Sequence, residues 1–313
     1  RSRGLGDVYK RQGIALVLWG ADRLTDGAVA VAEKMKMPQI VIGLTIVAMG
    51  TSMPEFCVSF ISALKGTSDL AVGNIVGSNI FNALLIVGVS ALVAPMTIMK
   101  TTVRKDIPFA LVASALLLIM CLDGDISRLD AGILFVMFLI FMYMTLKGAK
   151  KQGADAEEAI EGEGKKPMAT WLSVVWILVG LLCLIGGSNL FVEGATAVAT
   201  NLGVSEAVIG LTIVAGGTSL PELATSVVSA RKGNSGIAIG NALGSNVFNI
   251  LAILGITGMI TPMTLKGITY IDLSMLVISI MLVWLFSFTK YKIERWEGAV
   301  LTAVFVGYIY SLL

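Results

Sequence analysis

The chain contains no histidine, and only 14% of its 313 residues are charged. A soluble domain ordinarily carries about 25% charged residues. Without histidine the chain lacks the commonest zinc and copper ligand and the commonest acid–base group near neutral pH. Cysteine is scarce as well. Cys57, Cys121 and Cys183 stand apart in apolar segments, without CxxC or metal-site spacing, and read as buried small hydrophobes. No GxxxxGK[ST] stretch occurs, so that phosphate loop is excluded. A net charge of +2 is too small to suggest a nucleic acid partner. What fills the chain is hydrocarbon: 56% of residues are hydrophobic and the mean hydropathy is +0.87. Many apolar runs approach the ~20 residues needed to cross a bilayer. They do not alternate like the ~10-residue strands of a membrane barrel. The expected fold class is an all-α integral membrane protein.

Polar breaks divide the hydrophobic sequence into ten candidate spans, at 13–32, 39–64, 70–94, 107–122, 129–147, 171–199, 206–230, 236–260, 269–289 and 297–313. Residues 148–168 are polar, charged with both signs and rich in Gly and Ala, and read as a solvated linker. Loops after the odd-numbered spans, the linker among them, hold fifteen Lys and Arg, against three after the even-numbered spans. Positive charge marks the cytoplasmic side. The expected placement is therefore multi-pass in the inner (plasma) membrane, with the linker cytoplasmic and both termini outside.

The sequence repeats itself. Residues 43–88 and 210–255 align without gaps at an offset of 167, with 28 identities in 46 positions. A repeat this clear means duplicated structure. The first copy occupies 13–147 and the second 169–313. Five spans is an odd number, so the second copy enters the membrane from the opposite side, giving ten transmembrane helices in two inverted five-helix repeats. The same offset places the polar, basic residues 4–12 opposite the apolar WLSVVWILV at 171–179. Residues 1–12 therefore read as a non-native or misread start that shortens the first span.

GTSMPE at 50–55 and GTSLPE at 217–222 lie inside apolar runs. Pro54 and Pro221 have no N–H and interrupt their helices, leaving carbonyl oxygens unpaired. Such breaks are tolerated in a bilayer where protein or a water-filled cavity receives them. A carboxylate at mid-membrane costs at least ~2.5–3.5 kcal/mol, yet Glu55 and Glu222 sit at matching positions of both copies. Thr51 and Ser52 precede Glu55 by four and three residues and are expected on its helix face, as Thr218 and Ser219 are for Glu222. The next span of each copy reads GNIVGSNIFN or GNALGSNVFN. Ser78 and Asn82 are four apart there, as are Ser245 and Asn249. Gly73 with Gly77, and Gly240 with Gly244, form GxxxG pairs that let helices approach closely. Each feature alone has a packing explanation, but packing does not call for a carboxylate twice in register. Convergence of the four interrupted helices would build a cage of oxygen, which suits calcium and serves sodium with the same atoms. Asp22 and Asp26, in the first span, are candidates to line an ion access path.

The segments GLTIVAMGTSMPEF…GNIVGSNIFN and GLTIVAGGTSLPEL…GNALGSNVFN resemble the two alpha repeats of the calcium/cation antiporter superfamily, most closely its prokaryotic sodium/calcium exchanger branch. The resemblance covers the chain after residue 12. It implies a secondary active antiporter that exchanges Ca2+ for Na+ by alternating access, with spans one and six sliding as a gate. Glu55 and Glu222 would be the main ligands. Thr51, Ser52, Thr218, Ser219 and the carbonyls of Ala48 and Ala215 would complete the sodium sites. Ser78, Ser245, Asn82 and Asn249 would come from the neighbouring helices. Some members carry Asp where this chain has Asn249, and in potassium-dependent relatives that Asp serves potassium transport, so Asn argues against potassium dependence. The substrates would be Ca2+ and Na+, with the bilayer as surroundings, no cofactor and no obligate protein partner. A proton/calcium antiporter of the same architecture is the alternative, and Asn82 and Asn249, being amides rather than acids, favour sodium. An intramembrane enzyme would need a nucleophile with an oriented base, and the sequence offers neither.

Overall fold

The computed structural model describes residues 2–156, 168–201, 215–265 and 267–312. Among these, helices α1 (Ser2–Lys34), α2 (Gln39–Thr51), α3 (Met53–Leu64), α4 (Ser68–Val93), α5 (Thr102–Asp123) and α6 (Arg128–Ala156) form the first half. The second half holds α7 (Thr170–Asn201), α8 (Ala215–Thr218), α9 (Leu220–Arg231), α10 (Ser235–Ile260), α11 (Tyr270–Ser287) and α12 (Arg295–Leu312). Among the described residues six helices are long and apolar enough to cross a membrane, and α2 with α3, bent by 48°, counts as a seventh if the pair is one span. α1 is helical from Ser2, eleven residues before the expected start. The seventh expected span begins outside the described residues, as does most of the 148–168 linker.

α4 and α10 form the centre. Their most apolar stretches are 72% and 83% buried, against 28–33% for α5, α6, α7 and α11. Burial by protein on all sides is what the GxxxG sequences permit, because small residues let neighbours come close, and the Asn and Ser of these helices are buried with them. The outer helices expose Leu, Val and Ile to the surroundings, as a lipid-facing surface requires. Cys57 belongs to that surface. It is exposed, contrary to the expected burial, while Cys121 is buried and Cys183 is partly covered.

Contacts repeat under the offset of 167. Strand β1 (Met96–Thr97) pairs antiparallel with β4 (Lys292–Ile293), and β2 (Asp125–Ile126) pairs with β3 (Met263–Thr264). Adding 167 turns β1 into β3 and β2 into β4, so the two ribbons are one contact seen twice. Each ribbon joins two odd-numbered loops or two even-numbered loops, as alternating crossings demand.

α1 and α7 lie backbone against backbone. A Cβ on Gly13, Gly20 or Gly27 would meet the carbonyl oxygen of Gly187, Gly180 or Ser173 at 2.7, 2.8 or 2.7 Å. The seven-residue spacing keeps one glycine seam facing the partner along the helix. Arg23 of α1 stacks its guanidinium 5.2 Å from the Trp176 ring centroid of α7.

Candidate cation-binding site

The chain breaks where Pro54 and Pro221 direct it, although not by the expected route. Ser52 (φ −83°, ψ 10°) and Ser219 (φ −89°, ψ 8°) leave helical geometry, and the following helices begin with proline in their first turn. Proline is at home there, because its missing N–H is one the helix start would leave unpaired anyway. The break therefore falls before the proline. Ser52 sits at the corner rather than on one continuous helix face with Glu55, which corrects the expectation from spacing.

The corner sends each serine across to the other half. Ser52 Oγ donates to Glu222 Oε1 at 2.9 Å, and Ser219 Oγ donates to Glu55 Oε1 at 2.9 Å. Both glutamates are fully buried. Their second oxygens, Glu55 Oε2 and Glu222 Oε2, have no hydrogen-bond partner among the described residues. A buried carboxylate without a counter-charge is costly. The ion pairs of the described residues bring no Lys or Arg to either glutamate.

A second ring supports the first. Asn74 Nδ2 donates to the Glu55 carbonyl (3.3 Å) and Ser59 Oγ (2.9 Å), and Asn241 Nδ2 donates to the Glu222 carbonyl (3.1 Å) and Ser226 Oγ (2.9 Å). Thr51 Oγ1 donates to Asn241 Oδ1 at 3.0 Å. At the centre, Asn79 and Asn246 each donate Nδ2 to the other's backbone carbonyl, at 3.3 and 3.2 Å. Asn74, Asn79, Asn241 and Asn246 were not singled out in the sequence analysis. Their identity at equivalent positions of both copies was the available signal.

The outer amides break the symmetry. Asn249 Nδ2 donates to Ser78 Oγ (3.2 Å) and Asn79 Oδ1 (3.0 Å). The equivalent groups, both side-chain atoms of Asn82, Ser245 Oγ and Asn246 Oδ1, have no partner among the described residues although they are buried, and Asn249 Oδ1 is equally unpaired. Asn82 and Asn249 lie in π-helical turns, Phe81–Ile86 and Phe248–Ile253, whose wider winding upsets the four-residue register assumed for Ser78 with Asn82. The Ala48 carbonyl accepts the Ser52 N–H (3.0 Å) and the Thr51 hydroxyl (3.3 Å). Thr218 and Ala215 belong to α8, which leads into the second corner.

A cavity of about 690 Å3 touches the site from one face. Its lining runs from Asp69, in the first turn of α4, and Gly267, both on the even-loop side, to Gly73, Asn74, Gly77 and Ser78 deeper in α4. The equivalent stretch of α10 is closed: Gly240, Asn241, Gly244 and Ser245 are buried. A Cβ on Gly244 would stand 2.6 Å from Leu44 Cα, whereas one on Gly77 would meet nothing within 4 Å among the described residues. Thus one GxxxG pair packs against α2 and the other lines a cavity. Asp22 and Asp26 do not line this cavity and are held in ion pairs with Arg23 and Lys232.

Two buried carboxylates lie here with amides, hydroxyls and helix corners and with no basic partner among the described residues, which is the oxygen-rich chemistry that suits a hard cation. The chain belongs to the sodium/calcium exchanger protein family, whose model matches residues 12–147 and 172–313, and is a cation/calcium antiporter. It is similar to the inner membrane protein YrbG of Escherichia coli (strain K12), at 37% identity over 96% of this chain and 94% of that one. It is similar also to the sodium/calcium exchanger MaX1 of Methanosarcina acetivorans, at 31% identity over 96% of each chain. A solved structure of the sodium-calcium exchanger NCX_Mj, soaked with zero Na+ and Ca2+, aligns with a TM-score of 0.86 and 30% identity over 99% of both chains.

Proposed function

We propose that this protein exchanges Ca2+ for Na+ across the inner (plasma) membrane by alternating access, through ten spans arranged as two inverted five-helix repeats. The observation that carries the proposal is the crossed pair Ser52–Glu222 and Ser219–Glu55, with both remaining carboxylate oxygens buried and unpartnered among the described residues. Two carboxylates neutralise one divalent ion, and calcium takes about 6–8 oxygens in flexible geometry. Glu55 and Glu222 are the principal ligands. Thr51, Ser52, Thr218, Ser219, Ser78, Ser245, Asn82, Asn249 and the carbonyls of Ala48 and Ala215 supply the neutral oxygens. Sodium uses the same cage at lower charge, so the two ions compete for it.

Inverted topology is supported by the exchange of contacts under the 167-residue offset and by the odd-with-odd, even-with-even strand ribbons. The cavity on the even-loop face is then the outer entrance, and the sealed α10 face is the inner one.

The test is 45Ca2+ uptake into sodium-loaded vesicles diluted into sodium-free buffer. Uptake is expected to require the outward sodium gradient and to vanish in Glu55→Gln and Glu222→Gln. Uptake that follows a pH gradient and ignores sodium would replace this proposal with a proton/calcium antiporter. Uptake retained in both variants would remove the glutamates from the site.

A further inference from the structure

The glycine seam and Arg23 over Trp176 make α1 and α7 one body. Apolar packing seats that body against α2, α9 and α10, and a local polar tie adds to it. Lys232, just past the end of α9, places Nζ 2.5 Å from Asp22 Oδ1 and 2.7 Å from Asp26 Oδ1 of α1, and 3.3 Å from the Asp22 carbonyl. One turn deeper, the buried hydroxyls of Thr25 and Ser229 meet at 2.9 Å. Arg23 also pairs with Asp22 and Asp26, but it rides on the same body as they do. Lys232 is the charge that crosses to the core.

The repeat supplies a counterpart. Subtracting 167 from 232 gives Lys65, and adding 167 to 26 gives Glu193 of α7. Lys65 follows α3 on the face where the cavity opens, four residues before Asp69. Lys65 and Glu193 are both exposed, and among the described residues no ion pair joins them. So the bridge is made on the sealed face, and its equivalent is unmade on the open face.

We propose that Lys232 and Lys65 form an alternating latch on the α1–α7 body. Lys232 grips Asp22 and Asp26 while the cavity face is open, and Lys65 grips Glu193 when the body shifts and that face closes. This inference rests on the alternating-access reading. The latch is unequal, because Asn189 stands where symmetry with Asp22 would put a second acid, and Val192 stands where Thr25 would supply a hydroxyl. The protein therefore favours the conformation described here.

Cysteine labelling with a water-soluble maleimide on the detergent-solubilised protein, in which both faces are accessible, tests the latch without relying on flux. Cys57 and Cys183 are replaced by Ala, and buried Cys121 stays as a sentinel for unfolding. The reporters are Leu70→Cys, at a position 59% exposed in the cavity, and Ile237→Cys, fully buried where α10 meets α1. With Lys232 present, Leu70→Cys is expected to label at least tenfold faster than Ile237→Cys. Lys232→Met is expected to speed labelling of Ile237→Cys several-fold, while Lys232→Arg and Lys65→Met leave it protected. An unchanged rate in Lys232→Met, or an equal rise in Lys65→Met, overturns the latch. If Cys121 labels in step, the charge exchange Lys232→Glu with Asp26→Lys decides, since restored protection supports the latch and continued exposure sinks it. Absence of sodium-coupled calcium flux in the parent protein would count against the exchanger proposal alone, because the labelling pattern does not depend on turnover.

Discussion

Ser52 and Ser219 hold carboxylates that belong to the opposite half of the chain, and this crossing makes the site sensitive to single atoms. A hydrogen bond to a charged group contributes about 1.5–3 kcal/mol. Ser52→Ala and Ser219→Ala are therefore each expected to weaken Ca2+ binding by about ten- to a hundredfold, and by similar amounts, because the two bonds are equal at 2.9 Å. Glu55→Gln and Glu222→Gln remove the charge itself. Losing one member of a buried charge pair costs about 2 kcal/mol or more, so each is expected to weaken binding by at least ~30-fold. Calorimetric titration of the purified protein with Ca2+ checks both. A Ser52→Ala variant with unchanged affinity would show that the crossed hydroxyl plays no part in binding.

At the scale of the element, identical motifs do unlike work. Gly244 packs a backbone atom's breadth from Leu44, and Gly77 borders open space. Gly244→Ala is expected to destabilise the protein by about 1–3 kcal/mol through overpacking, whereas Gly77→Ala should stay within about 0.5 kcal/mol. Thermal unfolding in detergent distinguishes them, and equal losses would contradict the described packing. The sequence made the helical class, most span limits and the duplicated carboxylates legible, since hydropathy and the 167-residue offset report them directly. It did not reveal the corner at Ser52, because a proline in an apolar run is compatible with either a kink or a fresh helix start. The π-helical turns around Asn82 and Asn249 were hidden for a related reason: no residue type marks an added residue per turn. Nor does a sequence that repeats reveal which of two equivalent faces is open.

For the whole molecule, charge distribution is expected to set orientation. Fifteen basic residues lie in odd-numbered loops and three in even-numbered ones, so a cysteine placed at Gly153 of the linker should be labelled by impermeant reagent only in inside-out vesicles. One placed at Asp123 should be labelled only from the opposite side. The reverse pattern would invert the assignment of the cavity face as outer. Stability at this scale comes from α4 and α10, the most buried spans, around which the lipid-facing helices are arranged.

Asn79 and Asn246 greet each other as equals across the middle of the molecule, each offering an amide to the other's carbonyl. Two separate, identical half-chains joined by such a handshake would have no preferred side, and a gradient could not tell one of their mouths from the other. Fusing the halves into one chain lets a single position change without its twin. Asp22 opposite Asn189, Thr25 opposite Val192 and the lopsided lysines are such changes. On the proposed reading, what the copies share makes a place for an ion, and where they have drifted apart the molecule acquires an inside and an outside.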